Sequence, residues 1–164
     1  MLTIGVSGDF YDSKNKANEQ ENWDKNVLNP KFGITWSPFD NTTVRGAVFH
    51  TFKRTLITDQ TLEPTQVAGF NQFYDDDSGT EAWVYGIGVD QKFSQSIYGG
   101  AEFSWRDLRI PYLTSSDTEL AWARAPWQED LGRAYLYWTP HDWLAFRVEY
   151  GYEKIKYDET LVMY

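Results

Sequence analysis

The sequence predicts an all-β fold: an antiparallel up-and-down meander of about seven to eight strands, forming a section of a transmembrane β-barrel. Three observations predict it. Apolar and polar residues alternate with a period of two along most of the chain, as strands with one apolar face do. The connections between these segments alternate between short and long. Aromatic residues gather beside the short ones.

The segments follow in order. Leu2, Ile4 and Val6 alternate with Thr3, Gly5 and Ser7. Phe32, Ile34 and Trp36 alternate with Lys31, Gly33 and Thr35, and Val44, Gly46, Val48 and Phe52 share one phase. Trp83, Tyr85, Ile87, Val89 and Phe93 oppose Gly86, Gly88, Asp90 and Lys92. Ile97, Ala101, Phe103 and Trp105 oppose Tyr98, Glu102, Ser104 and Arg106. Ala134, Leu136 and Trp138 oppose Arg133, Tyr135 and Tyr137. Leu144, Phe146, Val148, Tyr150 and Tyr152 oppose Arg147, Glu149 and Glu153.

Short connections are expected at SPFDN (Ser37–Asn41), SQS (Ser94–Ser96) and TPHD (Thr139–Asp142), and long loops near 11–30, 53–81 and 107–130. Compact domains rarely hold several long structureless loops, whereas outer-membrane barrels combine short periplasmic turns with long extracellular loops. Trp36 and Phe39 flank the first short turn, Phe93 and Tyr98 the second, Trp138 and Trp143 the third. Such a set reads as an aromatic girdle at a membrane interface. Phe52, Trp83, Trp105, Tyr150 and Tyr152 lie near the other strand ends and read as the upper girdle.

Composition narrows the class. Aromatics are 18% of the 164 residues, yet mean hydropathy is −0.57. A barrel reconciles the two, with rings outside and a polar lumen. The net charge of −9 comes without a basic stripe, so no nucleic-acid partner is expected. With no cysteine, neither a disulfide framework nor a thiolate metal site is possible. No run approaches the roughly 18 apolar residues of a membrane-spanning helix. MLTIGVSGDF lacks the basic and apolar regions of a signal peptide. An outer-membrane protein needs one, so either the start of the gene is missing, as expected of an incomplete barrel section, or the membrane reading is wrong.

The stretch from Asn29 to Phe73 resembles barrels of the TonB-dependent-receptor type. NPKFGITWSPFDNTTVRGAVFHTFKR is similar to their strand–turn–strand unit, in which a P-x-F-G-apolar-x-aromatic-x-P strand leads through a polar turn into an outward aromatic strand. LEPTQVAGF resembles the segment that opens the next strand, with Thr65 where that family usually has Glu. RTLITDQTLEPTQVAGFNQFYDD also resembles outer-membrane barrels linked to tetratricopeptide repeats. The resemblance implies the bacterial outer membrane and a wall of a pore or receptor for solute passage or docking. It also implies a larger barrel, of which this is an internal section. No plug domain or TonB box is visible in these residues.

Single-chain bacterial barrels have an even strand number, and seven strands leave two edges whose unpaired backbone groups lipid cannot satisfy. The expected partners are therefore outer-membrane lipid, the remaining barrel strands or other copies of the chain, and an unknown solute. The candidate lumen face carries Lys31, Arg45, Lys92, Arg106, Arg133 and Arg147 against Asp90, Glu102, Glu149 and Glu153. With Thr139 opposite Trp143, Arg133 would face Glu149 and Tyr135 would face Arg147, pairs of the kind that stabilise sheets by about 0.2–1 kcal/mol. Such a wall is either simply hydrated and charge-balanced or a strip that tunes what passes.

No cofactor is expected. Asp75, Asp77 and Glu81, with Gly79 between them, supply hard oxygens of the kind calcium takes. They lack the EF-hand spacing, and a solvated acidic loop accounts for them better. His50 and His141 have no ligand partner at metal-site spacing. No nucleophile-elbow pattern occurs, so no enzyme is expected. Asn41-Thr42-Thr43 reads as turn chemistry. Phe70, Phe73, Tyr112, Trp122 and Trp127 are loop aromatics, expected to pack together or to stack on sugars. The alternative to the membrane reading is a soluble all-β module that uses those rings to bind carbohydrate or peptide.

Overall fold

The computed structural model describes residues 1–13, 23–53, 66–72, 76–116 and 119–157. Its strands are β1 (Leu2–Ser13), β2 (Trp23–Phe39), β3 (Thr42–Phe52), β4 (Gln66–Val67), β5 (Phe70–Asn71), β6 (Glu81–Lys92), β7 (Ile97–Ser116), β8 (Glu119–His141) and β9 (Leu144–Tyr157). Seven form one antiparallel sheet in the order β1-β2-β3-β6-β7-β8-β9, and β4 and β5 form a separate small hairpin. The chain is all-β, and the meander is the one the alternation predicts. β1 and β9 are the sheet's edges. Among the described residues no helix is long and apolar enough to cross a membrane, which says nothing of crossing by strands.

The short connections fall where expected. Phe39 pairs with Thr42 across Asp40–Asn41. Between β6 and β7, the Ser94 hydroxyl accepts the backbone N–H groups of Ser96 and Ile97 at 3.2 and 3.1 Å, so a side chain supplies what a ladder cannot. The TPHD turn differs from expectation. Trp138 pairs with Phe146 and His141 with Leu144, with an irregularity between. The register is therefore two residues from the expected one: Arg133 faces Gly151, Tyr135 faces Glu149, and Tyr137 faces Arg147. A shift of two leaves every side chain on its expected face.

Two of the three expected long loops are largely strand where they are described. β7 and β8 stay paired from Ile97↔Trp138 to Ser116↔Glu119, so 107–130 is a tall hairpin rather than a loop. In the expected 11–30 loop, the β1–β2 ladder continues to Ser13↔Trp23, and residues 14–22 lie outside the described ones. The period is hidden there because both faces turn polar, and a hydropathy reading sees only the contrast between faces. In the expected 53–81 loop, residues 54–65 and 73–75 lie outside the described ones, and 66–71 is the β4–β5 hairpin.

That hairpin carries the buried core. Val67 and Phe70 pack on Ala47, Phe49 and Val84, with Ala68 beside them. Ala68 and Gly69 both take positive φ, 48° and 87°, the pattern of a two-residue turn that matches strand twist. Phe70 seats where β6 has Gly86. A Cβ there would lie 2.5 Å from the Phe70 ring, and one at Gly33 would lie 2.8 Å from the Val67 side chain.

Candidate functional site

Strand register sorts every residue onto one of two faces. The face that receives the β4–β5 hairpin contains the row Thr35–Arg45–Gly88–Glu102–Arg133–Gly151. The next row towards the turns includes Asp90, Tyr135 and Glu149, and the next includes Lys92, Tyr98, Tyr137 and Arg147. On the distal side lies Lys31–Phe49–Val84–Arg106–Glu129. Lys31, Arg45, Asp90, Lys92, Glu102, Arg106, Arg133, Arg147 and Glu149 thus share this face, as the alternation predicts.

Several of these charges interlock. Arg45 Nε donates to Asp90 at 2.7 Å and Arg45 Nη2 to Glu102 at 3.0 Å. Glu102 also accepts Arg133 Nε at 3.0 Å, and Arg133 lies 3.9 Å from Glu149. That last contact is diagonal, as the two-residue register change requires. Arg147 completes the series on Glu149, and the Tyr135 hydroxyl donates to Asp90. Arg106, only 3% exposed, bridges Asp76 at 2.5 Å and Glu129 at 2.6 Å. Interior charges persist where partners and hydrogen bonds offset desolvation. The arrangement is therefore an ordered charge lattice, in which opposite charges on neighbouring strands are matched.

One expected grouping loses a member and another is not assembled. Tyr98 falls on the polar face, its ring 6.0 Å from that of Tyr135 and 6.4 Å from that of Tyr137, so it leaves the girdle set. Trp36, Phe39, Phe93, Trp138 and Trp143 remain exposed at the short-turn end. Asp75 lies outside the described residues, while Glu81 is engaged by Lys25 and by Arg124 at 3.1 Å. Among the described residues no cluster of three or more acidic or histidine side chains forms. The aromatics expected in loops divide: Phe70 is buried in the hairpin core, Trp127 packs on Tyr157 in the ladder, and Phe73 lies outside the described residues. His50, on a strand as expected, bonds Asn29 at 2.7 Å.

The opposite face is open and apolar. Roughly twenty large apolar side chains on it are more than a third exposed, among them Ile4 (74%), Trp36 (61%), Ile87 (57%) and Val148 (66%). Their summed exposed area is on the order of 2,400 Å², against the ~300–600 Å² of the largest patch on an ordinary soluble monomer. On this face Leu28–Trp36 in β2, Trp83–Val89 in β6, Ile97–Trp105 in β7 and Leu144–Tyr152 in β9 place no charged residue. Beyond them come Glu81, Asp107, Asp130 and Lys154.

The boundary between the two zones has a direction. Val44, Val89, Ala101, Ala134 and Tyr150 form one hydrogen-bonded row. Val44 is two residues into β3, Ala101 four into β7 and Tyr150 six into β9. The short turns therefore step away from the row by about 14 Å across about 19 Å of sheet, at ~3.4 Å per residue and ~4.8 Å per strand. That is a tilt of about 35°. The charge boundary follows the turns and not the row: Tyr85, Trp105, Asp130 and Lys154 share a row, apolar at one end and charged at the other.

No family model, no curated protein and no solved structure matches this chain.

Proposed function

We propose that this sheet is a wall section of an outer-membrane β-barrel, with its open face on lipid and its charged face on an aqueous interior that serves solute passage or docking. The observation that carries the reading is the uncharged band bounded by two levels of rings and running parallel to the line of short turns. At seven to nine residues per strand and a tilt near 35°, the band is about 20–25 Å tall, close to the height and tilt typical of such barrels. A soluble sandwich must bury its apolar face against a second layer, and its boundary has no reason to follow a plane oblique to the hydrogen bonds.

Trp83, Trp105, Tyr150 and Tyr152 sit at or near the distal edge of the band, and Trp36, Trp138 and Trp143 near the turns, where amphipathic rings prefer the headgroup zone. The receptor-like motif at Pro30–Pro38 agrees with this placement, since Phe32, Ile34 and Trp36 lie on the open face. The edges β1 and β9 then take further strands, from a longer chain or from other copies.

The test is fractionation of cells that express the protein. The expected result is recovery with the outer membrane, resistance to carbonate and urea washing, and release by detergent alone. A compact monomer purified without detergent overturns the reading and leaves the soluble binding module.

A further inference from the structure

We propose that the β4–β5 hairpin is a constriction element, folded back from the β3–β6 connection onto the polar face so that it narrows the aqueous path at mid-depth. The inference rests on the reading of that face as water-filled. The hairpin is fixed by the sheet and is not draped over its end. Val67 and Phe70 are 2% and 5% exposed, and the strands beneath provide glycine at the contacts, Gly33 and Gly86. Arg45 acts as a latch. Its Nη1 donates to the Ala68 carbonyl at 3.3 Å, and its guanidinium lies over the Phe70 ring, 5.2 Å from the centroid. The same guanidinium holds Asp90 and Glu102, so the hairpin is tied to the charge lattice.

Position supports the role. The hairpin seats over Ala47 and Gly86, and Gly86 is the middle of β6 (Glu81–Lys92). A segment that only capped the sheet's distal end would meet β6 near Glu81. Between the hairpin and β7–β9 a groove of about 740 Å³ remains, lined among others by Gln66, Asn71, Glu102, Arg133, Glu149 and Glu153. This groove is the route left for a solute. Its amides and charges suit small hydrophilic species; Glu102 and Glu149 are matched by Arg45, Arg133 and Arg147, so its preference for cations over anions rests on Glu153.

The experiment uses the full-length protein in planar bilayers with potassium chloride as the probe. Deletion of residues 66–71 is expected to raise single-channel conductance several-fold, or to open a parent that is closed. Because the chain has no cysteine, Gln66→Cys can be labelled alone, which covers the case where the deletion fails to fold. A bulky water-soluble thiol reagent should then reduce conductance, while Ser37→Cys at the turn should not respond. Under a salt gradient the parent should show a cation-selective reversal potential, and Glu153→Lys should move it towards anions. Unchanged conductance in the deletion and in labelled Gln66→Cys overturns the constriction, as does silence in both parent and deletion after insertion. A protein that never enters the membrane fraction fails at the earlier reading, so the two failures are distinguishable.

Discussion

Placing an arginine on each face in turn asks whether the two faces meet different solvents. Ile87 is 57% exposed on the open face and lies mid-way along the uncharged part of β6. Val148, 66% exposed, occupies the matching depth on β9, four residues from its start. An arginine facing lipid at mid-depth costs about 2–4 kcal/mol, which at ~1.4 kcal/mol per tenfold is roughly a 30- to 700-fold loss in the folding equilibrium. Phe146 lies only two residues from the start of β9, beside the Trp138 ring at 5.3 Å. Phe146→Arg should therefore cost less through lipid, about 0–1 kcal/mol, plus the lost ring contact of about 0.5–1.5 kcal/mol. The polar-face control is Gly151→Arg, because a Cβ there meets nothing within 4 Å. Gly88 serves less well, since its Cβ would lie 3.2 Å from both Arg45 and Glu102. The assay is urea-dependent folding into lipid vesicles, followed by tryptophan fluorescence. Ile87→Arg and Val148→Arg should lose most, Phe146→Arg less and Gly151→Arg least. Equal losses at Ile87, Val148 and Gly151 would refute the assignment of faces.

Three further outcomes follow from the polar face. Gly86→Val forces a side chain into the Phe70 ring and should cost about 1–3 kcal/mol as overpacking, read as a lower urea midpoint and faster proteolysis near residues 66–71. Arg45→Met strands Asp90 and Glu102 without their shared cation and should cost about 2–4 kcal/mol, given the partial burial. Adding Asp90→Asn should cost less than the two single changes summed, a double-mutant coupling of at least ~0.5 kcal/mol. Tyr135→Phe keeps the ring contacts with Tyr98 and Tyr137 and removes one charge-assisted hydrogen bond, for a loss of about 1.5–3 kcal/mol, reduced by solvent at this half-open site and measured in the same titration.

The sequence made face assignment legible because the period of a strand is two regardless of its register. The charges from Lys31 to Glu149 share one face for that reason, even though the β8–β9 register differs by two. Contacts were not legible, because they depend on register and on which strands adjoin: Arg45 reaches Asp90 and Glu102 on two other strands. The tall extensions of β7 and β8 were hidden because the alternation changes phase there: Asp107, Arg109, Gln128 and Asp130 lie on the open face and Leu108, Ile110 and Trp127 on the other, while Pro111 and Pro126 read as breaks. The β4–β5 hairpin was hidden for another reason, since two-residue strands have no period. Its one signal is Ala68-Gly69 between Val67 and Phe70, a tight turn flanked by apolar residues. Tyr98 shows the limit of reading by proximity: it stands beside a short turn, but its parity in β7 puts it among the tyrosines of the polar face.

The most direct measurement is a scan of single spin labels along β6 and β9, in a chain with no native cysteine. In lipid, labels at Ile87, Val89, Val148 and Tyr150 should be relaxed strongly by oxygen and weakly by a water-soluble nickel chelate. Labels at Gly86, Glu149 and Gly151 should show the reverse or be shielded from both, giving an alternation of period two. Nickel accessibility that does not alternate, or open-face labels as exposed to water as their neighbours, would contradict a lipid-facing sheet.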